Sequence, residues 1–313
     1  MSFSAETKNE LSRTSVERKC CQLAEIAGFL RIAGSLRLAG GGRFRIVCST
    51  DNAAVARHYK KLIKQYFKVD AGLEIERGGA LHKGYIYSLT IDPDMKSESI
   101  LRETGILLVK EGSNYISDGI YQDIVKKKCD RKSYLRGAFL ACGSVSDPSK
   151  EYHLDFTLEH EQLAHDLRRL IGTFEDLEGK ITTRKDKYVV YMKKSEYISD
   201  LLALMGADSQ VLRFENTRIE KEVVSQAVRL TNCDSANTDR TILAAEKQIA
   251  AIRKLKDSGK IGILSDKLAE VAELRVEHPE ASLVELGEMM DPPLKKSGIN
   301  NRLKRIMEAA KNI

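Results

Sequence analysis

The spacing of apolar positions along this chain changes several times, and each change marks an element. Helical spacing near 20–34 gives way to alternation near 43–49, returns near 51–66, and yields to alternating runs near 71–77 and 83–91, the second containing GYIYSLTI. A helix near 95–105 follows. The same order recurs further on, with a helix near 131–143, a strand near 151–157, a helix near 159–173, strands near 178–184 and 187–193 (KYVVYMK) and a helix near 195–205. The pattern predicts two αββαββα-like halves in tandem, at about 1–110 and 130–207.

Residue identities support a duplication. FRIVCSTDNAAVARHYKKLIKQYF (44–67) resembles YHLDFTLEHEQLAHDLRRLIGTF (152–174), and Gly28 and Gly34 have the same spacing as Gly137 and Gly143. These glycines stand in apolar helical runs, where each costs about 0.5–1 kcal/mol relative to alanine. Close approach of a second backbone would repay that cost. The two small-residue helices, one per half, are therefore expected to pack on each other along a pseudo-twofold axis, with Gly28, Gly34, Gly137 and Gly143 at the contact.

Beyond the second half, residues 218–259 read as two helical stretches divided by the polar run from Thr231 to Thr241, the second ending near Gly259. Three short helices follow, at 265–278, 282–290 and 297–312, with Ser265, Ser282 and Ser297 placed as N-caps. Leu268, Val271, Ala272, Leu274, Leu283, Leu286, Met289, Met290, Leu294, Ile299, Leu303 and Ile306 form the expected small core. This is a helix-turn-helix pattern. In the last helix Ile299, Leu303 and Ile306 turn inward, which leaves Asn300, Asn301, Arg302, Lys304 and Arg305 outward or on the flanks. Asparagine can read adenine edges and arginine guanine edges, while Lys295, Lys296 and Ser297 at the helix start suit phosphate contacts. The division expected is an α+β domain at 1–215, a helical linker at 216–258 and an all-α DNA-binding domain at 259–313.

Composition adjusts this picture in three ways. The chain has 313 residues, 42% of them hydrophobic, enough for two cored domains. No run approaches the ~20 apolar residues of a membrane span, and MSFSAETKNELSR lacks the apolar centre of a secretory signal, so a cytoplasmic location and no membrane partner are expected. The net charge of +6 is unevenly spread: residues 266–294 carry eight acids against two bases, and residues 295–311 carry six bases against one acid. The sign therefore changes at one short turn, beside the helix expected to meet DNA.

Six cysteines and six histidines, among them His82, lack metal-site spacing, so reduced, partly buried thiols and no metal are expected. LAGGGRF (38–44) lacks the GK[ST] ending of a phosphate loop and reads as a turn.

IAGFLRIAGSL (26–36) and LRGAFLACGSV (135–145) resemble the LAGLIDADG motif of homing endonucleases, in which paired helices join two halves and flanking sheets form a saddle on DNA. That resemblance implies a LAGLIDADG-like pseudo-dimer. Its metal-binding acidic position is Ala33 in one copy and Cys142 in the other, and Arg31 and Leu140 fill the neighbouring acidic position. A hard divalent cation needs oxygen ligands, so no catalytic residue is expected. With a helical connector and a C-terminal helix-turn-helix, and with GINNRLKRI (298–306) and LTNCDSANTDRT (230–241), the whole chain resembles the WhiA bacterial transcription regulators. That family implies a sequence-specific regulator of sporulation or cell division, bound to double-stranded DNA at the nucleoid without a cofactor. Its N-terminal domain is left as a scaffold open to transcription or cell-division proteins. The alternatives are a metal-dependent DNA endonuclease and a protein-interaction scaffold on the chromosome.

Overall fold

The structure is a computed structural model that describes residues 2–78 and 84–311. Lys83 and Asn312, at the edges of two expected elements, and His82 lie outside the described residues. The chain divides into two compact units, Met1–Lys221 and Glu222–Ile313. Among the described residues no helix is long and apolar enough to cross a membrane.

The first unit is built on a duplicated plan. After α1 (Phe3–Leu11), the first half runs α2 (Lys19–Ala33), β1 (Gly34–Leu38), β2 (Phe44–Thr50), α3 (Ala53–Phe67), β3 (Gly72–Arg77), β4 (Tyr85–Ile91) and α4 (Ser97–Glu103). A hairpin of β5 (Leu107–Lys110) and β6 (Ser113–Ile116) leads to the second half. That half runs α5 (Lys128–Cys142), β7 (Gly143–Val145), β8 (Leu154–Leu158), α6 (Glu161–Ile171), β9 (Lys180–Arg184), β10 (Lys187–Met192) and α7 (Ser195–Met205). The two four-stranded antiparallel sheets share one topology, β1-β2-β4-β3 and β7-β8-β10-β9. Sequence periodicity missed β1 and β7 because each starts at the residue after a helix. It also missed α1, which Ser2 caps by accepting from the Ala5 amide at 3.2 Å and which buries Phe3, Thr7 and Leu11.

Helices α2 and α5 are apolar on more than one face, the mark of a helix surrounded by protein. Ala24, Ile26, Ala27, Phe29 and Leu30 of α2 are buried, as are Tyr134, Leu135, Ala138, Phe139 and Leu140 of α5. α3 and α6 are one-sided: Val55, Tyr59, Leu62 and Ile63, and likewise Leu163, Leu167, Leu170 and Ile171, are buried while their opposite faces stay polar. Tyr59 stacks on Phe29 with ring centroids 3.6 Å apart.

α8 (Asp208–Asp257) corrects the sequence reading, since it is one continuous helix where two stretches were expected. The polar run does not interrupt it. Thr231, Thr238 and Thr241 donate back to the carbonyls of Ala227, Asp234 and Asn237 at 2.9–3.0 Å, satisfying their hydroxyls inside the helix. Gly259, with φ +70°, follows its end.

In the second unit, Ile252 and Leu255 of α8 join a core made by α9 (Asp266–Glu277), α10 (Leu283–Glu288) and α11 (Lys296–Lys311). Val271, Ala272, Leu286, Met290, Ile299, Leu303 and Ile306 fill it. Met289, expected in this core, is 46% exposed. Ser282 closes a capping box with Glu285 at the start of α10. Ser265 precedes α9 without a side-chain cap bond, and Ser297 is not an N-cap, because α11 begins one residue earlier. The buried Arg275 donates to the Ala281 carbonyl at 2.7 Å, and so holds the turn between α9 and α10.

Candidate nucleic-acid interface

Packing fixes which face of α11 is available. Ile299, Leu303, Ile306 and Ala310 are buried, so the opposite face carries Ser297, Asn301, Lys304 and Arg305, all exposed. Lys295 and Lys296, at the entry to the helix, are exposed as well. Asn300 and Arg302 are half-buried on the flanks, and the Arg302 guanidinium donates to the Lys267 carbonyl of α9 at 3.3 Å. The turn before α11 is seated closely: the Leu294 amide donates to the Gly287 carbonyl at 2.8 Å, and a Cβ at Gly287 would overlap the Leu294 carbonyl. The helix start therefore sits on α10 in a defined position.

Among the described residues, none of Lys295, Lys296, Lys304 and Arg305 takes part in an ion pair, whereas many bases of the first unit do. Arg45 pairs with Asp92, Lys60 and Lys64 with Asp70, and Lys187 with Glu159. Lys295 and Lys296 at the helix N-terminus, with Lys304 and Arg305 further along its exposed face, form a surface suited to phosphate.

The first unit offers a different surface. The pairing register puts Arg37, Arg45, Glu74 and Glu76 on the face of the first sheet away from α3, and Asp155, Lys180, Arg184 and Lys187 on the equivalent face of the second. Acids and bases are mixed there.

At the centre of this unit, Gly28 and Gly137 mark the crossing of α2 and α5. A Cβ on Gly28 would stand 2.5 Å from the Tyr134 carbonyl oxygen, and one on Gly137 would overlap the Glu25 carbonyl oxygen and stand 3.1 Å from the Phe29 amide. Gly34 and Gly143 have another task. They lie at the helix ends, where a Cβ would meet the carbonyl of Leu30 and the ring of Phe139 in their own helices, and where the chain turns directly into β1 and β7.

A buried charge cluster joins the same helices. Glu25 accepts from Arg136 at 2.7 and 2.9 Å and meets His58 Nε2 at 2.7 Å, while Arg136 also donates to the Met205 carbonyl at 2.9 Å. Sequence reading missed this cluster, since its members lie 33 and 111 residues apart.

The positions that hold metal in homing endonucleases do not fit one here. Ala33 has no donor, and burial pushes the Cys142 thiol up to about 12. Lys8 of α1 lies in the electrostatic neighbourhood of Cys142, Asp51 and Asp155, its ammonium held below the usual lysine range by burial. Arg31 is turned aside to donate to the carbonyls of Ser117 and, at 2.8 Å, Gly105. The Lys8 ammonium and the Cys142 thiol therefore act on each other electrostatically. Elsewhere, at the opposite ends of α2 and α5, Cys20, Cys21, Cys129 and Asp130 come together. The repeat contained the signal for this: Lys-Cys-Cys at 19–21 and Lys-Cys-Asp at 128–130 share the 109-residue offset of the glycines.

Comparison with known proteins agrees with both units. Models for a WhiA N-terminal LAGLIDADG-like domain, a WhiA LAGLIDADG-like domain and a WhiA C-terminal HTH domain match residues 19–107, 131–224 and 227–310. A "Probable cell division protein WhiA" from Alkaliphilus metalliredigens is 43% identical over 310 residues, covering 99% of this chain and 98% of the relative. Its namesake from Thermoanaerobacter pseudethanolicus is 42% identical over 314 residues, covering 100% and 98%. The crystal structure of full-length DUF199/WhiA from Thermatoga maritima superimposes with a TM-score of 0.61 at 26% identity, covering 100% of this chain and 99% of that one.

Proposed function

The chain belongs to the WhiA family, and on that premise we propose that it is a sequence-specific, DNA-binding transcription regulator of cell division or sporulation without nuclease activity. The observation that carries this reading is the exposed face of α11, where Asn301, Lys304 and Arg305 follow Lys295 and Lys296 on a helix packed into the core of the second unit, and where those four bases join no ion pair among the described residues. Relatives are named probable cell division proteins, which favours that process for this chain.

In this reading residues 259–313 contact double-stranded DNA at the cytoplasmic nucleoid, residues 216–258 connect, and residues 1–215 form a scaffold available to transcription or cell-division proteins. Asn301 meets base edges. Lys295, Lys296 and Ser297 meet phosphates, and Lys304 and Arg305 extend the same surface. Asn300 and Arg302 border it, with Arg302 positioned by α9. Cleavage is disfavoured because Ala33 and a neutral Cys142 thiol replace oxygen ligands.

Fluorescence-anisotropy titrations of the full chain test the DNA reading. Lys295→Ala with Lys296→Ala should weaken binding to all sequences and flatten the salt dependence by about one unit of slope per contact. Asn301→Ala should cost about 1–3 kcal/mol at specific sites and little elsewhere. Unchanged binding in both variants would contradict the assignment. Supercoiled plasmid incubated with magnesium or manganese should stay intact, and nicking that copurifies with the chain would favour the endonuclease alternative.

A further inference from the structure

Cys20 and Cys21 stand in the first turn of α2, and Cys129 and Asp130 in the first turn of α5. Their sulfur and carboxylate oxygen atoms all lie within 4.8 Å of one another. The sulfurs of Cys20 and Cys21 are 4.0 Å apart, and Oδ1 of Asp130 is 3.7 Å from the Cys21 sulfur and 3.4 Å from that of Cys129. A tetrahedral zinc with bonds of about 2.3 Å to sulfur and about 2.0 Å to oxygen requires sulfur–sulfur edges of about 3.8 Å and sulfur–oxygen edges of about 3.5 Å. The three separations match those edges to within a few tenths of an ångström.

We propose that Cys20, Cys21, Cys129 and Asp130 form a binding site for one thiophilic divalent cation, zinc by preference, which ties the N-terminal ends of the two pairing helices together.

Three further observations point the same way. Asp130 is 4% exposed, yet among the described residues it joins no ion pair, and its side-chain partners are thiols. A buried carboxylate facing only weak S–H donors lacks the compensation that burial demands, and a cation supplies it. The donor set selects the metal, because three sulfurs suit zinc and disfavour magnesium or calcium. The charge also fits. Binding displaces up to three thiol protons to solvent and leaves a net −2 site, set at the N-termini of two helices and flanked in sequence by Arg18, Lys19, Lys127, Lys128, Arg131 and Lys132. The site is at the other end of α2 and α5 from Ala33 and Cys142, on the order of 20 Å away at 1.5 Å rise per residue, and is independent of the DNA reading. Its role is structural: two ligands come from each half, so the metal closes the pseudo-dimer.

The experiment uses the reduced full chain. Cobalt(II) added without air should bind one per chain, with intense sulfur-to-cobalt charge-transfer absorption and tetrahedral d–d bands, and one equivalent of zinc should displace it. Mass-spectrometric footprinting by alkylation should show zinc protecting Cys20 and Cys129 while the exposed Cys233 reacts as before. Cys129→Ser and Asp130→Asn should weaken zinc roughly 10- to 100-fold or more, the range seen when even an outer-shell partner of a metal ligand is lost. Cys233→Ser should change nothing. The footprint needs no substitution, so it decides the matter even if a variant fails to fold. Absence of the charge-transfer band, unprotected Cys20 and Cys129 in excess zinc, or a Cys21–Cys129 disulfide in the freshly isolated, metal-free chain would each overturn the proposal.

Discussion

Replacing Gly137 by alanine tests the helix crossing with a single methyl group. That methyl would stand 3.1 Å from both the Glu25 carbonyl carbon and the Phe29 amide nitrogen and would overlap the Glu25 carbonyl oxygen. Carbon prefers about 3.5–4.0 Å from its neighbours. All three atoms belong to the α2 backbone, so no side chain can swing away, and the helices must separate by on the order of 1 Å or bend. Alanine gains about 1 kcal/mol of helix propensity. Overpacking costs about 1–3 kcal/mol, and more where the obstacle is rigid. Separation also loosens the Glu25–Arg136 pair, so the net loss should be about 2 kcal/mol. At about 2–4 °C per kcal/mol for a unit of this size, Tm should fall by about 4–8 °C. Gly298 in α11 is the control, because a Cβ there meets nothing closer than Leu294 side-chain carbons at 3.8 Å. Gly298→Ala should stabilise by about 0.4–1 kcal/mol. Thermal melts followed by circular dichroism, with denaturant titration, measure both. A Gly137→Ala chain that melts at or above the parent temperature would refute the crossing.

Two more perturbations follow from buried groups. Arg136→Met leaves the fully buried Glu25 carboxylate with His58 alone and should cost about 3–5 kcal/mol in denaturant titration, much of it recovered in the Glu25→Leu, Arg136→Met double variant. Burial pushes the Cys48 thiol up to about 12 from an ordinary value of 9.0. The unfolded chain therefore loses that proton first, and stability should fall as pH rises through this window, by about 1.4 kcal/mol per pH unit for the one group. Cys48→Ala should flatten the alkaline limb by one proton, and an identical limb in the variant would contradict the assignment.

Much of the architecture was legible because each half repeats long periodic segments: α7 falls on the expected residues, and α3 and α6 show their buried stripes directly in sequence. What escaped has physical causes. β1 and β7 are short and share a glycine with the end of a helix, so no period develops before the strand ends. The middle of α8 looked like a break because threonine, asparagine and aspartate favour caps, yet threonine hydroxyls can also bond one turn back within a helix. Of the four glycines, spacing alone could not separate the two that touch another helix from the two that end one. The Glu25–Arg136–His58 cluster joins residues from different elements, which no local pattern reports, whereas the Cys20–Cys21–Cys129–Asp130 group left a trace only in the matched Lys-Cys-Cys and Lys-Cys-Asp of the two halves. On α11 the inward residues were plain from their spacing. The tether of Arg302 to α9 was not, since it depends on a carbonyl of another helix.

Genome-wide mapping of DNA bound in the native host tests the proposal that α11 selects DNA while the duplicated domain serves as scaffold. The parent chain would be compared with a full-length Asn301→Ala, Lys304→Ala, Arg305→Ala variant expressed at the same level. Discrete peaks seen with the parent should vanish in the variant while the protein stays folded and abundant. Peaks of unchanged position and height in the variant would contradict it, and would move sequence recognition to another surface of the chain.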